Sequence, residues 1–273
     1  MFGTKENTLG GGGAMSPALI SGEDIVCSGD GAQALEFHTP HNDSTMMEAT
    51  YGTSCFEEDE AVNEAAERLK TRYVYRFLKR LFDIAFSLFI LIAFSWLFLI
   101  IAIAIKVDDP KGPVFFKQKR VAKDGREFQM YKFRSMCVDA ESRLGELKSL
   151  NEKTGPVFKM SNDPRVTRVG HWLRKLSLDE LPQFVNVLKN DLAVVGPRPA
   201  LPAEVATYTL RQRQRLLVKP GITCYWQTRR NRDSITFDEW VELDLLYIRK
   251  CSLWTDFKLI VQTVGCVLTA QGS

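Results

Sequence analysis

The sequence predicts a mainly helical α+β fold of the monotopic membrane kind, with one N-terminal re-entrant membrane helix, a small β-hairpin and several amphipathic or interfacial helices. Three observations carry this. Residues 84–105 are 22 consecutive positions without a charge, which as a helix measure about 33 Å, enough to cross the hydrocarbon core of a bilayer. The flanks are equally basic, with six Lys and Arg in 68–80 and seven in 106–126. Because basic flanks stay on the cytoplasmic side, both ends read as cytoplasmic and the segment must turn back inside the bilayer. Finally, Asp124-Gly125 lies between runs of alternating apolar and polar residues, a hairpin signal.

The elements follow in order. Residues 1–67 hold one base against 13 acids, a net charge of −12, while 68–273 hold 35 bases against 20 acids, a net charge of +15. The first part is rich in Gly, Ser, Asp and Glu without an apolar period, so it reads as an acidic disordered tail. The basic flank and membrane helix occupy 68–106, and the remaining domain 107–273. A re-entrant segment needs a break whose freed backbone groups find partners. Ser95 offers a hydroxyl, but no proline or glycine lies in 84–105, so an ordinary spanning helix is the alternative. The hairpin is expected over 113–116 and 127–133, with its turn at 123–125. Short helices are expected at 139–150, from 181 to 189 and over 202–218. Two amphipathic helices follow at 237–249 and 254–268, with apolar faces at Trp240, Leu243, Leu246, Tyr247 and then Phe257, Ile260, Val261, Val264.

Composition excludes several chemistries. The six cysteines, at 27, 55, 137, 224, 251 and 266, are scattered, so neither a zinc ribbon nor a redox pair is expected. Of the three histidines only His171 lies in the basic part, which argues against Ser-His-Asp hydrolysis. A strongly basic body beside a membrane segment suits phosphorylated substrates or anionic lipid.

Three runs can carry chemistry. In Arg174-Lys175-Leu176-Ser177-Leu178-Asp179-Glu180-Leu181-Pro182-Gln183, Ser177 and Glu180 have capping-box spacing. With Ser177 as N-cap, however, Pro182 falls at the fifth helical position, where it lacks a needed N–H, so the helix start must be irregular. Two carboxylates are thereby held at a distorted turn beside two cations, a placement for a nucleophile and a metal ligand near phosphates. In Val195-Gly196-Pro197-Arg198-Pro199, two prolines fix the backbone around one arginine, whose planar fork suits phosphate oxygens; a surface turn is the bland alternative. The third run, Arg229-Arg230-Asn231-Arg232-Asp233, follows Tyr225-Trp226-Gln227. Bases beside aromatics fit single-stranded nucleic acid or a nucleotide-sugar or lipid phosphate, and no nucleic-acid motif spacing is present.

From about Arg76 onward the chain resembles the bacterial sugar transferases that are monotopic polyprenyl-phosphate phosphoglycosyl transferases. The resemblance rests on 79–83, on 112–120 with Tyr131-Lys132-Phe133-Arg134-Ser135-Met136, on 177–183, on Asn186-Val187-Leu188-Lys189, on 195–199, on Lys219-Pro220-Gly221-Ile222-Thr223 and on Glu242-Leu243-Asp244. It implies that Asp179 attacks the β-phosphate of a UDP-sugar, expelling UMP, and that polyprenyl phosphate then takes the sugar-phosphate. It further implies that Glu180, with Asp179, holds Mg²⁺ and that Arg174, Arg198, Arg232 and Lys132 contact phosphate or nucleotide. Pro197 and Asp244 fall at matching supporting positions. The implied location is the cytoplasmic face of the bacterial cell membrane, among membrane lipid, with downstream glycosyltransferases as partners, no nucleic acid, and homo-oligomerisation open. The family's membrane helix is re-entrant and commonly carries Ser-Pro at its break, where this chain has Ser95-Trp96. After Gln227 the chain has one residue more than the family's usual stretch. A non-catalytic, membrane-anchored adaptor that recruits partners through the acidic tail is the competing expectation.

Overall fold

The computed structural model describes residues 57–152, 155–158, 160, 162–229 and 235–268. Most of the acidic tail and the stretch 230–234 therefore lie outside the described residues, and with them Arg230, Arg232, Cys27 and Cys55.

The first described element is a helix where the sequence predicts tail. Helix α1 (Glu60–Thr71) starts at Asp59, whose carboxylate accepts from the amides of Ala61 and Val62 at 3.0 and 3.3 Å, an N-cap placed in the most acidic part of the tail. Val62 and Ala66, four residues apart, are buried, and this short apolar stripe is what the low average hydropathy of the tail conceals. The same Asp59 carboxylate pairs with Arg249 at 2.9 Å and Arg211 at 3.5 Å, and its backbone exchanges two hydrogen bonds with the Gln214 amide. The boundary predicted at 67 therefore cuts a folded helix.

Helices α2 (Tyr73–Ala93) and α3 (Ser95–Asp108) meet at Phe94 with a 60° bend. Among the described residues no single helix is long and apolar enough to cross a membrane; the bent pair meets the requirement together by length and composition. The bend needs neither proline nor serine. The Phe94 amide still donates to Ile90 O at 3.0 Å, and Phe94 O accepts from Leu97 and Phe98 at 2.9 and 3.2 Å, so few backbone groups are orphaned. The Ser95 side chain is exposed and makes no hydrogen bond with the described residues, which corrects the role expected for its hydroxyl. Phe77, Phe89, Ile92, Trp96, Leu99 and Val107 are exposed along the outside of the pair.

Strands β1 (Phe115–Val121) and β2 (Glu127–Phe133) form the hairpin, antiparallel from Phe115↔Phe133 to Val121↔Glu127. The first strand runs five residues beyond the expected end. Its second half, Lys117-Gln118-Lys119-Arg120, hides the alternation because charged side chains take both faces. Asp124 and Gly125 both adopt positive φ at the turn, as the Asp-Gly pair requires. The helix expected over 139–150 shrinks to α4 (Leu144–Leu147) and a following 3₁₀ turn, since among the described side chains of this stretch only Ala140 is buried.

Helices α5 (Arg168–Lys175) and α6 (Gln183–Leu188) flank the carboxylate run. Strand β3 (Ala193–Val195) then pairs in parallel with β4 (Gly221–Thr223) in the core. Between them the helix expected over 202–218 is broken into α7 (Pro202–Ala206), α8 (Leu210–Arg213) and a 3₁₀ turn. Thr209 makes the break by acting as an N-cap with Gln212 in a capping box. Helices α9 (Phe237–Lys250) and α10 (Leu253–Leu268) lie within one or two residues of expectation. The apolar face of α9 is buried throughout, but among the described side chains of α10 the only buried apolar ones are Leu259 and Ile260, beside the buried Asp256, while Trp254, Phe257, Val261 and Val264 are exposed. The main core gathers Phe128, Met130, Val187, Leu192, Val195 and Tyr247 from every layer. A smaller cluster of Ile101, Ile105, Phe133 and Leu173 joins α3 to the hairpin and α5.

Candidate active site

The carboxylate run is irregular, as Pro182 demands, but by a different route from the one predicted. Ser177 makes no capping bond and sits at φ 54°, ψ 22°. Its amide donates to Arg174 O at 3.0 Å, so it closes α5 in the left-handed region rather than opening the next helix. Leu178–Glu180 then form one 3₁₀ turn, and Pro182 is the N-cap of α6, where its missing N–H costs nothing. Asp179 and Glu180 are therefore presented by a tight turn between two helices.

Asp179 is buried and Glu180 half-buried. Lys132, from β2, places Nζ 3.0 Å from Glu180 Oε1 and 3.8 Å from Asp179 Oδ2. Burial pushes the Asp179 carboxyl up to about 6, with the Glu180 charge adding to the rise and Lys132 and Arg174 opposing it. Arg174 donates from Nε to Ser135 Oγ at 3.0 Å. Helix α5 crosses Ser135 so closely that a Cβ on Gly170 would lie 1.9 Å from Ser135 O, so only glycine permits this approach.

The second group is the loop after β3. Pro197 is fully buried, and Arg198 lays its guanidinium 4.7 Å from the ring centre of Trp240, a stacked geometry that leaves the N–H edge free for an anion. Among the described residues Arg198 has no carboxylate partner. The loop backbone is pressed on that of 219–223: Gly221 N donates to Pro197 O at 2.9 Å, and a Cβ on Gly221 would sit 2.1 Å from Gly196 N.

Arg120 is the residue the sequence reading passed over. It is buried, donates from Nη1 to Pro199 O at 3.0 Å and from Nε and Nη2 to Gln118 Oε1, and has no ion pair with a carboxylate among the described residues. Burial and then the charge of Arg198 hold its guanidinium down at about 9, with Glu204 and Glu180 opposing. Arg120 thus feels both the charge of Arg198 and that of Glu180 in the carboxylate turn. Its matched place in 112–120 is the one sequence signal that marks it.

Asp244 pairs within the core with Arg215. It is fully buried and accepts from Arg215 at 2.8 Å (Nε) and 2.6 Å (Nη2), and Arg215 also donates to Tyr208 Oη at 2.9 Å. Arg215 in turn lies 6.0 Å from the Trp240 ring centre, so Asp244 supports the aromatic platform of Arg198. Arg229 is described and half-exposed; Arg232 is outside the described residues.

No three His, Cys, Asp or Glu side chains gather as a metal cage among the described residues. The Asp179 and Glu180 pair nevertheless fits Mg²⁺, which takes one or two carboxylates and completes its shell with water and substrate phosphate oxygens. Two adjacent carboxylates facing one ammonium leave negative charge to be balanced.

The described residues thus hold a buried carboxylate turn and an arginine-bearing loop, side chains of the kinds that suit phosphate chemistry. The model of the family "Bacterial sugar transferase" matches residues 74–270, and the chain belongs to that family. It is 42% identical over 202 residues to the galactosyl transferase CpsE of Streptococcus agalactiae, covering 74% of this chain and 44% of that one. It is 40% identical over 203 residues to the undecaprenyl-phosphate galactose phosphotransferase of Salmonella typhimurium, covering 72% and 42%. With the exopolysaccharide production protein ExoY of Rhizobium meliloti it shares 37% identity over 199 residues, 71% of this chain and 87% of that one. The chain thus spans less than half of the first two relatives and most of the third.

Proposed function

We propose that the chain moves a sugar-1-phosphate from a UDP-sugar to polyprenyl phosphate, the first membrane step of exopolysaccharide or glycoconjugate assembly. The observation that carries the reading is the Asp179 carboxylate, buried in a tight turn 3.8 Å from Lys132 and beside Glu180. An Asp179 oxygen bonds to the β-phosphorus as the bond from that phosphorus to the bridging oxygen breaks, and the oxygen leaves on UMP. An oxygen of polyprenyl phosphate then attacks the same phosphorus, the acyl-phosphate bond breaks, and the carboxylate is restored. Splitting the transfer in two lets one nucleophile serve both halves. Glu180 and Asp179 would hold Mg²⁺, which when bound neutralises charge developing on the diphosphate. Lys132, Arg174 and Arg198 orient the phosphates, and Arg198 does so from a rigid stack that loses little entropy on binding.

The α2–α3 pair, with its exposed apolar outside and basic flanks, supports re-entry from the cytoplasmic face, and the exposed stripe of α10 supports contact with the same interface. The test is to incubate the protein in lipid vesicles with Mg²⁺, polyprenyl phosphate and a panel of UDP-sugars. UMP release from at least one sugar, abolished by chelation, is expected; silence across the panel overturns the reading.

The pH profile follows from the raised Asp179 carboxyl. Protonated, it is no nucleophile, so kcat/KM is expected to climb through about pH 6 and then level off. Because Lys132 lowers this value, Lys132→Met is expected to move the midpoint upward as well as weaken binding. A midpoint unmoved by that change would show that the limb belongs to another group.

A further inference from the structure

One face of α2 carries three charged residues that turn inward rather than toward lipid. Lys79 donates from Nζ to Val195 O at 3.1 Å, to Asp256 Oδ2 at 2.8 Å and to Tyr247 Oη at 3.3 Å, which accounts for all three of its N–H bonds. Tyr247 has one proton and two acceptors within reach, Asp256 Oδ1 at 2.8 Å and Val195 O at 3.1 Å. The charged and nearer carboxylate takes it, so the Val195 carbonyl depends on Lys79. One turn further, Asp83 Oδ1 accepts from Val194 N at 3.1 Å. Between them, Arg80 donates to Val187 O at 2.7 Å and Leu188 O at 3.0 Å, carbonyls at the C-terminal end of α6, where Val187 O also accepts from Asn190 N at 3.0 Å.

These bonds end on two places that matter. Val194 and Val195 close β3 and lead directly into Gly196-Pro197-Arg198. Val187 and Leu188 close α6, the helix that begins three residues after Glu180. A single turn of α2 therefore grips both the strand that presents the arginine loop and the helix that follows the carboxylate turn. Withdrawing three ionisable groups from water, Asp83 fully and Lys79 and Arg80 in part, for fold stability alone would be poor economy, since apolar residues of similar volume often do as well.

We propose that Lys79, Arg80 and Asp83 are positioning residues that fix the separation between the Asp179–Glu180 turn and Arg198, so that turnover is tied to how α2 is held. The inference rests on the proposed transfer only for its kinetic readout. In full-length protein in vesicles, Lys79→Met is expected to lower kcat/KM for UMP release about tenfold or more, and to cost less than about threefold once Arg198→Ala is already present. A merely structural role predicts independent, multiplicative losses, and that result would overturn the proposal. Should Lys79→Met not accumulate folded, Asp83 replaces it: Asp83→Asn keeps the oxygen that accepts from Val194, Asp83→Ala does not. The alanine variant is expected to lose activity that the asparagine variant largely recovers, and equal losses would count against the idea. Hydrogen exchange needs no substrate. The amides of 194–198 are expected to exchange faster in Asp83→Ala while those of α9 stay protected; unchanged protection at 194–198 overturns the proposal even if no UDP-sugar proves active.

Discussion

Asp179→Asn is expected to reduce UMP release by about 10³-fold or more, because it removes the atom that would carry the phosphosugar while keeping its shape. The same change is expected to raise the thermal midpoint by a few degrees at pH 8. The sign follows from the raised carboxyl of Asp179. Since the folded protein binds this proton more tightly than the unfolded chain, the stability associated with it is fully present below the ordinary carboxylate range and lost as pH rises through about 6. Asparagine cannot ionise, so the variant keeps that stability at alkaline pH, and the difference from wild type should vanish near pH 4. Thermal unfolding at the two pH values, read beside UMP release, separates a functional carboxylate held against its preference from a structural one. A variant that is inactive and also less stable at pH 8 would contradict this account.

Asp244→Ala should have the largest effect on stability. It would leave the Arg215 guanidinium, itself buried, without the carboxylate that meets two of its nitrogens. Removing one partner of a buried pair costs about 3–5 kcal/mol, a large share of the stability of a domain this size. Urea denaturation is the measurement, and the expected result is a strongly lowered midpoint or failure to accumulate. Replacing both residues by Leu and Met should recover much of the loss, because no charge is then stranded. If Asp244→Ala instead folds normally and loses only activity, Asp244 acts on substrate and not on the platform beneath Trp240.

Local features were legible in the sequence where one segment settles its own conformation. The Asp124-Gly125 turn, the apolar stripes of α9 and α10 and the conflict between Ser177 and Pro182 all act within a few residues, and each located its element. The side that wins such a conflict is set elsewhere. Ser177 closes α5 because α5 is pinned to Ser135 through Gly170 and Arg174, and nothing near Ser177 reveals that. Partners distant in sequence were likewise hidden: Arg120 meets Pro199, Arg215 meets Asp244, and Lys79 meets Val195 and Asp256. The bend at Phe94 occurs without proline or glycine, so composition could place the apolar stretch but not its corner.

Helix α1 and its Asp59 cap lie before residue 74, where the match to the family begins. Yet Asp59 pairs with Arg249 at 2.9 Å and lies 3.5 Å from Arg211, which Glu242 also holds at 2.8 Å, and Gln214 spends its amide on the Asp59 backbone. The unit that folds is therefore larger than the unit that is homologous. A fragment trimmed to the homologous boundary would keep the carboxylate turn, the arginine loop and the Arg211–Glu242 pair, but would leave Arg249 without the countercharge that Asp59 brings. Where this domain starts is decided by one shared carboxylate, and neither the change in composition nor the extent of kinship marks it.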